Sequence, residues 1–386
     1  MGANSGFMVI VSVLFALVCQ STSAQNQGVA PTNITDVTFV KGSQNFDPAF
    51  TRHILLYDLD LDGDLDAVFA NCTGYHSRIW LNDGRGNFSI TEQILSEAAH
   101  GIDAGDLDGD GDIDLFITCH YYVENGEPRH RSSKIYLNDG KATFVDNGQK
   151  IGDSLFSGNV VKLNDIDGDG DLDALVNYYE ESNKIFLNDG KGRFALSDFS
   201  YPDVSDFGDL NGDSALDIMA RARGEGIEFW SGNGDGTFTK VWERPDSALQ
   251  FGMSHFCDLD RDEDLDVILT DFSLSGGLPT RVWFNDASGR FSEGASLPGV
   301  FRGTVSFGDL NNDGYPDAVA TNHDAMAQIW LNDGSGTLVD SGIRLGTSSD
   351  KNESAAIGDI DGDGDPDIFL AEGRGGRNTI WFNMSK

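Results

Sequence analysis

The chain has 386 residues with 63 acidic against 26 basic side chains, a formal charge of −37 at pH 7. So strong a polyanion excludes nucleic acid as a natural partner, because phosphate recognition needs the opposite sign. Apolar residues make up 39% of the chain, ample for a core, and four cysteines are too few for a disulfide-built scaffold.

At the amino terminus, Phe7 to Cys19 form a 13-residue apolar run followed by Ser-Thr-Ser-Ala24. The run is too short to span a bilayer and reads as a secretory leader over residues 1–24, cut after Ala24. Residues 25–33 are then a polar tail and 34–386 the folded domain. No later segment could cross a membrane. The expected location is extracellular, or periplasmic or outer-surface in a bacterial host.

From there on one acidic nonapeptide returns seven times, beginning at Asp58, Asp106, Asp165, Asp209, Asp258, Asp309 and Asp359. Starts lie 44 to 59 residues apart, so one supersecondary unit is used seven times. The seven loops hold 32 of the 63 acids in only 63 residues. Such clusters repel themselves unless a cation neutralises them. Carboxylates at alternate positions of a tight turn are hard oxygen ligands suited to Ca2+.

The second unit shows what surrounds each loop. It reads Gly101-Ile-Asp-Ala-Gly-Asp106, the loop, Leu115-Phe-Ile-Thr118, a variable stretch, Lys134-Ile-Tyr-Leu-Asn-Asp-Gly140, then Thr143-Phe-Val145. Short β-branched and aromatic runs bounded by Gly, Asn and Asp predict four antiparallel strands, here A to D. Strand C recurs as Arg78-Ile-Trp-Leu, Lys184-Ile-Phe-Leu, Arg281-Val-Trp-Phe, Gln328-Ile-Trp-Leu and Thr379-Ile-Trp-Phe. Most copies run into Asn-Asp-Gly, a tight-hairpin signal. Four-stranded units in a ring make an all-β, seven-bladed β-propeller. The last repeat stops after its strand C, so the spare strand Asp36-Val-Thr-Phe-Val40 is expected to complete blade seven.

The pattern Asp-x-Asp/Asn-x-Asp-Gly-x-x-Asp, clearest in Phe307-Gly-Asp-Leu-Asn-Asn-Asp-Gly314, resembles the FG-GAP/VCBS repeat family known from integrin α chains. The resemblance implies that side chains at loop positions one, three, five and nine bind Ca2+, with the carbonyl at seven. The first site would be Asp58, Asp60, Asp62 and Asp66 with the Asp64 carbonyl, and the second Asp106, Asp108, Asp110 and Asp114 with Asp112. The third would be Asp165, Asp167, Asp169 and Asp173 with Asp171, and the seventh Asp359, Asp361, Asp363 and Asp367 with Asp365. The sixth, Asp309, Asn311, Asp313 and Asp317 with Tyr315, loses one charge.

Two loops depart from the pattern. The fourth (Asp209, Asn211, Asp213, Asp217) has Ser214 at position six, and the fifth (Asp258, Asp260, Asp262, Asp266) has Glu263. A side chain there is strained at positive φ, so weaker binding or altered geometry is expected. About seven Ca2+ ions with a structural role follow.

Function then falls to what differs between blades. The B–C and D–A loops lie on the face opposite the acidic loops and vary in sequence, which suits a binding or adhesion surface for protein or glycan. They include Asn71 to Ser77, Cys119 to Glu124 with Arg129-His-Arg131, Asn177 to Glu180, Ala220 to Arg223, Thr321 to Asp324 and Glu372 to Arg377. The alternative is a secreted carbohydrate lyase or hydrolase at the channel mouth. It would use loop histidines His76, His120 and His323, the last beside Asp324, with His53, His100 and His255 near the channel.

Asn33, Asn71, Asn87, Asn352 and Asn383 stand in glycosylation sequons. Cys72 and Cys119, at similar distances after their loops, are the one pair to consider for a bridge. Cys257 is expected as a buried free thiol.

Overall fold

In the computed structural model, the described residues are 37–385 apart from 73, 121, 125–126, 130, 153–157, 179–182, 198–202, 222–225, 245–250, 272–279, 298–303, 324 and 374. The leader and tail of the sequence reading therefore lie outside them. Seven four-stranded antiparallel sheets follow one another along the chain. Blade one is Thr51–Tyr57, Asp66–Asn71, Arg78–Asn82 and Phe88–Ile90 in the order A-B-C-D. Blade two repeats this with Ala99–Gly105, Asp114–Cys119, Lys134–Leu137 and Val145–Asp146. Among the described residues there is no helix, and hence none to cross a membrane.

Blade seven takes its outer strand from the other end of the chain. Phe39–Lys41 pairs antiparallel with Thr379–Asn383, placing Phe39 opposite Asn383 and Lys41 opposite Trp381. The strand starts three residues later than the sequence suggested, and Asp36 is outside the described residues. Met384 N–H adds a bond to the Thr38 carbonyl at 2.7 Å, and Val37 is buried in the core of blades six and seven.

Among the described residues the core is seven clusters, each shared by two neighbouring blades. Strand B is sandwiched on both faces, so Asp66–Asn71 and Asp114–Cys119 are buried at every position. This explains why strand B reads as a continuous apolar run and not as an alternation. The B–C stretch of blade two carries a small extra hairpin, Tyr122–Glu124 with Glu127–Arg129.

The cysteine expectations need correction. Cys72 and Cys119 are both buried thiols and do not form a bridge. Cys119 Sγ instead lies 2.9 Å from Ser96 Oγ. Cys257 is buried.

Candidate metal loops and the channel mouth

The seven acidic loops share one conformation. In every loop the position-six N–H donates to Oδ2 of position one, from Gly63 to Asp58 at 3.0 Å through to Gly364 to Asp359 at 3.0 Å. In every loop the position-seven N–H donates to Oδ1 of position five. Position six has positive φ throughout, between 90° and 98° at the five glycines, 70° at Ser214 and 76° at Glu263. Loops four and five therefore carry the strain without the altered backbone that the sequence reading expected. Position four is left-handed as well, including Leu61, Arg261 and Asn312.

Position nine is not a loop residue in the ordinary sense. Asp317 is fully buried, and its two oxygens accept the N–H of Leu310 at 2.9 Å and of Asn332 at 2.8 Å. Asp66, Asp114, Asp173, Asp217, Asp266 and Asp367 each make the equivalent pair of bonds. One donor is position two of the same loop and the other is the residue ending strand C, or in blade two the residue just after it. The carboxylate thus clamps the loop to the blade.

That strand-C residue is asparagine in six blades, and its side chain ties neighbouring blades together. Asn82 donates to the Ile360 carbonyl at 2.8 Å, Asn138 to Leu59 at 2.9 Å, and Asn188 to Leu107 at 2.9 Å. Asn285 reaches Leu210, Asn332 reaches Leu259 and Asn383 reaches Leu310. The acceptor is always position two of the preceding blade's loop. Blade four has Gly232 here, where a Cβ would lie 2.3 Å from the Leu216 carbonyl oxygen. The seam between blades three and four therefore lacks this side-chain staple. Amide hydrogen exchange is expected to report faster opening at this seam than at the other six; uniform protection around the ring would contradict it.

The Asn-Asp-Gly turns sit on the acidic loops themselves, since a Cβ on Gly84 would fall 2.5 Å from an Asp64 carboxylate oxygen. Gly140 and Gly190 are equally close to Asp112 and Asp171. Turns and acidic loops thus share one face.

The donor set for a cation is assembled in five loops. Three carboxylates offer oxygens within 4.8 Å of one another at Asp58/Asp60/Asp62, Asp106/Asp108/Asp114, Asp165/Asp167/Asp173, Asp258/Asp260/Asp262 and Asp359/Asp361/Asp367. In these same loops the position-three Oδ1 of Asp60, Asp108, Asp167, Asp260 and Asp361 is buried with no hydrogen-bond donor. A buried anionic oxygen without a donor is costly, and a hard divalent ion in the loop would satisfy it. Loops four and six are different. Asn211 Nδ2 donates to Asp217 and Ser231, and Asn311 Nδ2 donates to Asp313 at 2.9 Å. Loop five therefore joins the well-formed group in spite of Glu263, and loop six leaves it.

On the opposite face, strands A begin at the mouth of the central channel. Arg52 spans from Glu353, at 2.8 Å, to His100 Nε2, at 2.9 Å. His100 Nδ1 then meets Asn159 Oδ1 at 3.0 Å, and His120 stacks on the His100 ring with centroids 4.7 Å apart. His323 pairs with Glu353 at 3.0 Å, and Asp324 is outside the described residues. His53 lies on strand A of blade one beside Arg52, and His76 is 3.5 Å from Glu97. Burial and the Arg52 charge hold His100 near a pKa of 2, and burial with the Lys162 charge holds His255 near 3.

These imidazoles stay neutral in the folded chain and titrate near 6.5 when unfolded, so acidification feeds protons to the unfolded state. The contribution of each of these imidazoles to stability should fall as pH drops from 6.5 towards 4, by up to about 1.4 kcal/mol per pH unit. Thermal melts of a His255→Asn variant should show a shallower acid slope than the parent; an identical slope would contradict the assignment.

Three of the sequon asparagines are structural. Asn71, Asn352 and Asn383 are buried, and Asn71 and Asn383 use their side chains in hydrogen bonds. Asn87 is exposed on the C–D turn of blade one, with its amide against Asp83, and Asn33 is outside the described residues.

Seven blades, each with an acidic A–B hairpin clamped to its strand C, define a β-propeller of repeated acidic-loop hairpins. The FG-GAP-like repeat model matches residues 58–117, 165–220, 209–269, 258–320 and 309–370, and the chain belongs to that family. Comparison with curated protein sequences gives no match. Among solved structures, the chain is similar to BBS1N crystallised in complex with ARL6DN and soaked with mercury. The TM-score is 0.56 at 12% identity, covering 92% of this chain and 97% of that one. It is also similar to the WD40 β-propeller domain of Doa1, with TM-score 0.52, 12% identity, and 89% and 95% coverage. At these identities the likeness is one of fold.

Proposed function

We propose that this chain is a secreted, calcium-stabilised propeller that recognises protein or glycan ligands through the face opposite its acidic loops. The carrying observation is the contrast between the two faces. One face repeats a single loop geometry seven times, which suits a frame. On the other the loop sequences vary from blade to blade, and the described residues include a hairpin insertion in blade two and an Arg-His-Glu network at the channel mouth. Variable loops on a rigid frame are the usual arrangement for recognition.

The orphaned carboxylate oxygens support calcium in loops one, two, three, five and seven, with weaker binding in loops four and six. There the ion would supply charge balance and oxygen coordination, and Asp66, Asp114, Asp173, Asp266 and Asp367 would hold each loop to its blade. BBS1N, crystallised in complex with ARL6DN, illustrates protein binding by a chain of similar fold. The apolar run Phe7 to Cys19 supports secretion, and Asn87 is the sequon whose exposure suits glycan attachment.

A glycan and extracellular-matrix protein array, run in calcium and in chelator, tests the reading. Calcium-dependent retention of a discrete ligand set is expected. No retention on either array would overturn it, and product release from a glycan would move the assignment to an enzyme.

A further inference from the structure

The seven acidic loops contain one basic residue, Arg261, at position four of loop five. Its φ of 62° is the left-handed value that Leu61 adopts at the same place in loop one, at 61°.

What position four faces is shown by the loops with glycine there. A Cβ on Gly109 would lie 3.4 Å from the Gly190 carbonyl oxygen, and one on Gly168 3.1 Å from that of Gly234. Gly212 and Gly362 meet the Ala287 and Gly84 carbonyl oxygens in the same way, at 3.5 and 3.2 Å. Each of these carbonyls belongs to the C–D turn of the next blade. A side chain at position four therefore leaves its own loop for the next one. Asn312 of loop six does so, placing Nδ2 2.6 Å from Asp365 Oδ1 at position seven of loop seven.

Arg261 takes the same route into loop six. Its guanidinium carbon lies 5.6 Å from the centre of the Tyr315 ring, at position seven of that loop. The ring in turn lies on the C–D turn of blade six, 3.5 Å from where a Cβ of Gly334 would stand. The Arg261 charge is felt at Asp309, position one of loop six: burial raises this carboxyl, and the guanidinium draws it back down.

Loop six is also the loop that such a charge suits. Asn311 and Tyr315 stand where loop one has Asp60 and Asp64, leaving Asp309, Asp313 and Asp317 as its acids. Asp313 already accepts the Asn311 amide at 2.9 Å. Three carboxylates beside a guanidinium need less from a metal, and a divalent ion entering there meets a like charge. We propose that Arg261 determines which loops of the ring take calcium, its guanidinium standing beside loop six in place of a metal ion and opposing calcium there. The proposal rests on the calcium reading above and gives one side chain's part in it.

The test is a calcium titration of the full chain in low-salt buffer, where surface charges are least screened, followed by native mass spectrometry. Arg261→Leu and Arg261→Gln both remove the charge, and Leu61 shows that leucine accepts this backbone. In both variants the sixth ion should bind at least about tenfold more tightly than in the parent. Arg261→Lys keeps the charge and should stay with the parent. Adding Asp309→Ala to Arg261→Leu should abolish the gain, because that ion would lie in loop six. A sixth affinity unchanged in both neutral variants, a gain matched by Arg261→Lys, or a gain that survives Asp309→Ala would overturn the Arg261 assignment and leave the calcium reading standing. A parent that binds no calcium would overturn both.

Discussion

Replacing Asp317 by alanine is expected to destabilise the protein by about 4 kcal/mol, because two buried N–H groups would each lose their acceptor at about 1–3 kcal/mol. Leu310 and Asn332 are those donors, at 2.9 and 2.8 Å, and neither can turn to solvent inside a blade. Loop six is the informative place for this change. It lacks the three-carboxylate cluster of the five well-formed loops, so the effect reports the clamp more than a cation.

Asp317→Asn keeps one acceptor and should cost about half as much. Asn332→Ala removes the staple to the Leu259 carbonyl at 2.7 Å and the Pro316 carbonyl at 3.1 Å, for about 2–4 kcal/mol. The Asn332 backbone N–H, which alanine keeps, donates to Asp317, so the two sites are in contact and the double variant should fall short of the sum. Denaturant unfolding measures all four proteins. Single variants within about 0.5 kcal/mol of the parent would mean that the clamp is not holding the blade.

Chelation is the second large effect. Five loops each hold three carboxylates with oxygens within 4.8 Å of one another. Two such charges repel by about 3–4 kcal/mol at an effective dielectric near 20, so each empty loop stores a few kcal/mol. Calcium bound there would offset that repulsion and would stabilise only the folded chain. Exhaustive EDTA treatment should lower the melting temperature by at least about 10 °C. Calcium should restore it better than magnesium, which prefers a smaller octahedral shell and keeps its waters. Asp108→Ala, which removes the orphaned oxygen of loop two, should reduce the EDTA effect by roughly a fifth if the five loops contribute alike. An unchanged melting curve in EDTA would remove calcium from the account.

Much of the frame was legible because it is written locally. Strand runs, Asn-Asp-Gly turns and the seven acidic loops each depend on a few adjacent residues, and the period near fifty follows from their repetition. Position six could be anticipated as left-handed from glycine in five loops, and Ser214 and Glu263 adopt the same region. Position four could not, since Leu61 and Arg261 give no sign of positive φ.

The inter-blade staples were missed although their signal was present. Asn82, Asn138, Asn188, Asn285, Asn332 and Asn383 stand at one repeat position, but a tight turn accounts for Asp-Gly without them. Their partners are more than 70 residues away, and only the closed ring reveals them. The order of the loops also shifted. Glycine at position six seemed decisive from sequence, yet aspartate at position three separates loop five from loops four and six. Asn125-Gly126 foreshadows the hairpin of blade two, with Pro128 obscuring its second strand.

Native mass spectrometry of the full chain across a calcium titration addresses the central claim most directly. The account predicts five ions bound first, in loops one, two, three, five and seven, and two more only at higher calcium. A chain that stays free of calcium at every concentration, or fills loops four and six ahead of the others, would contradict it.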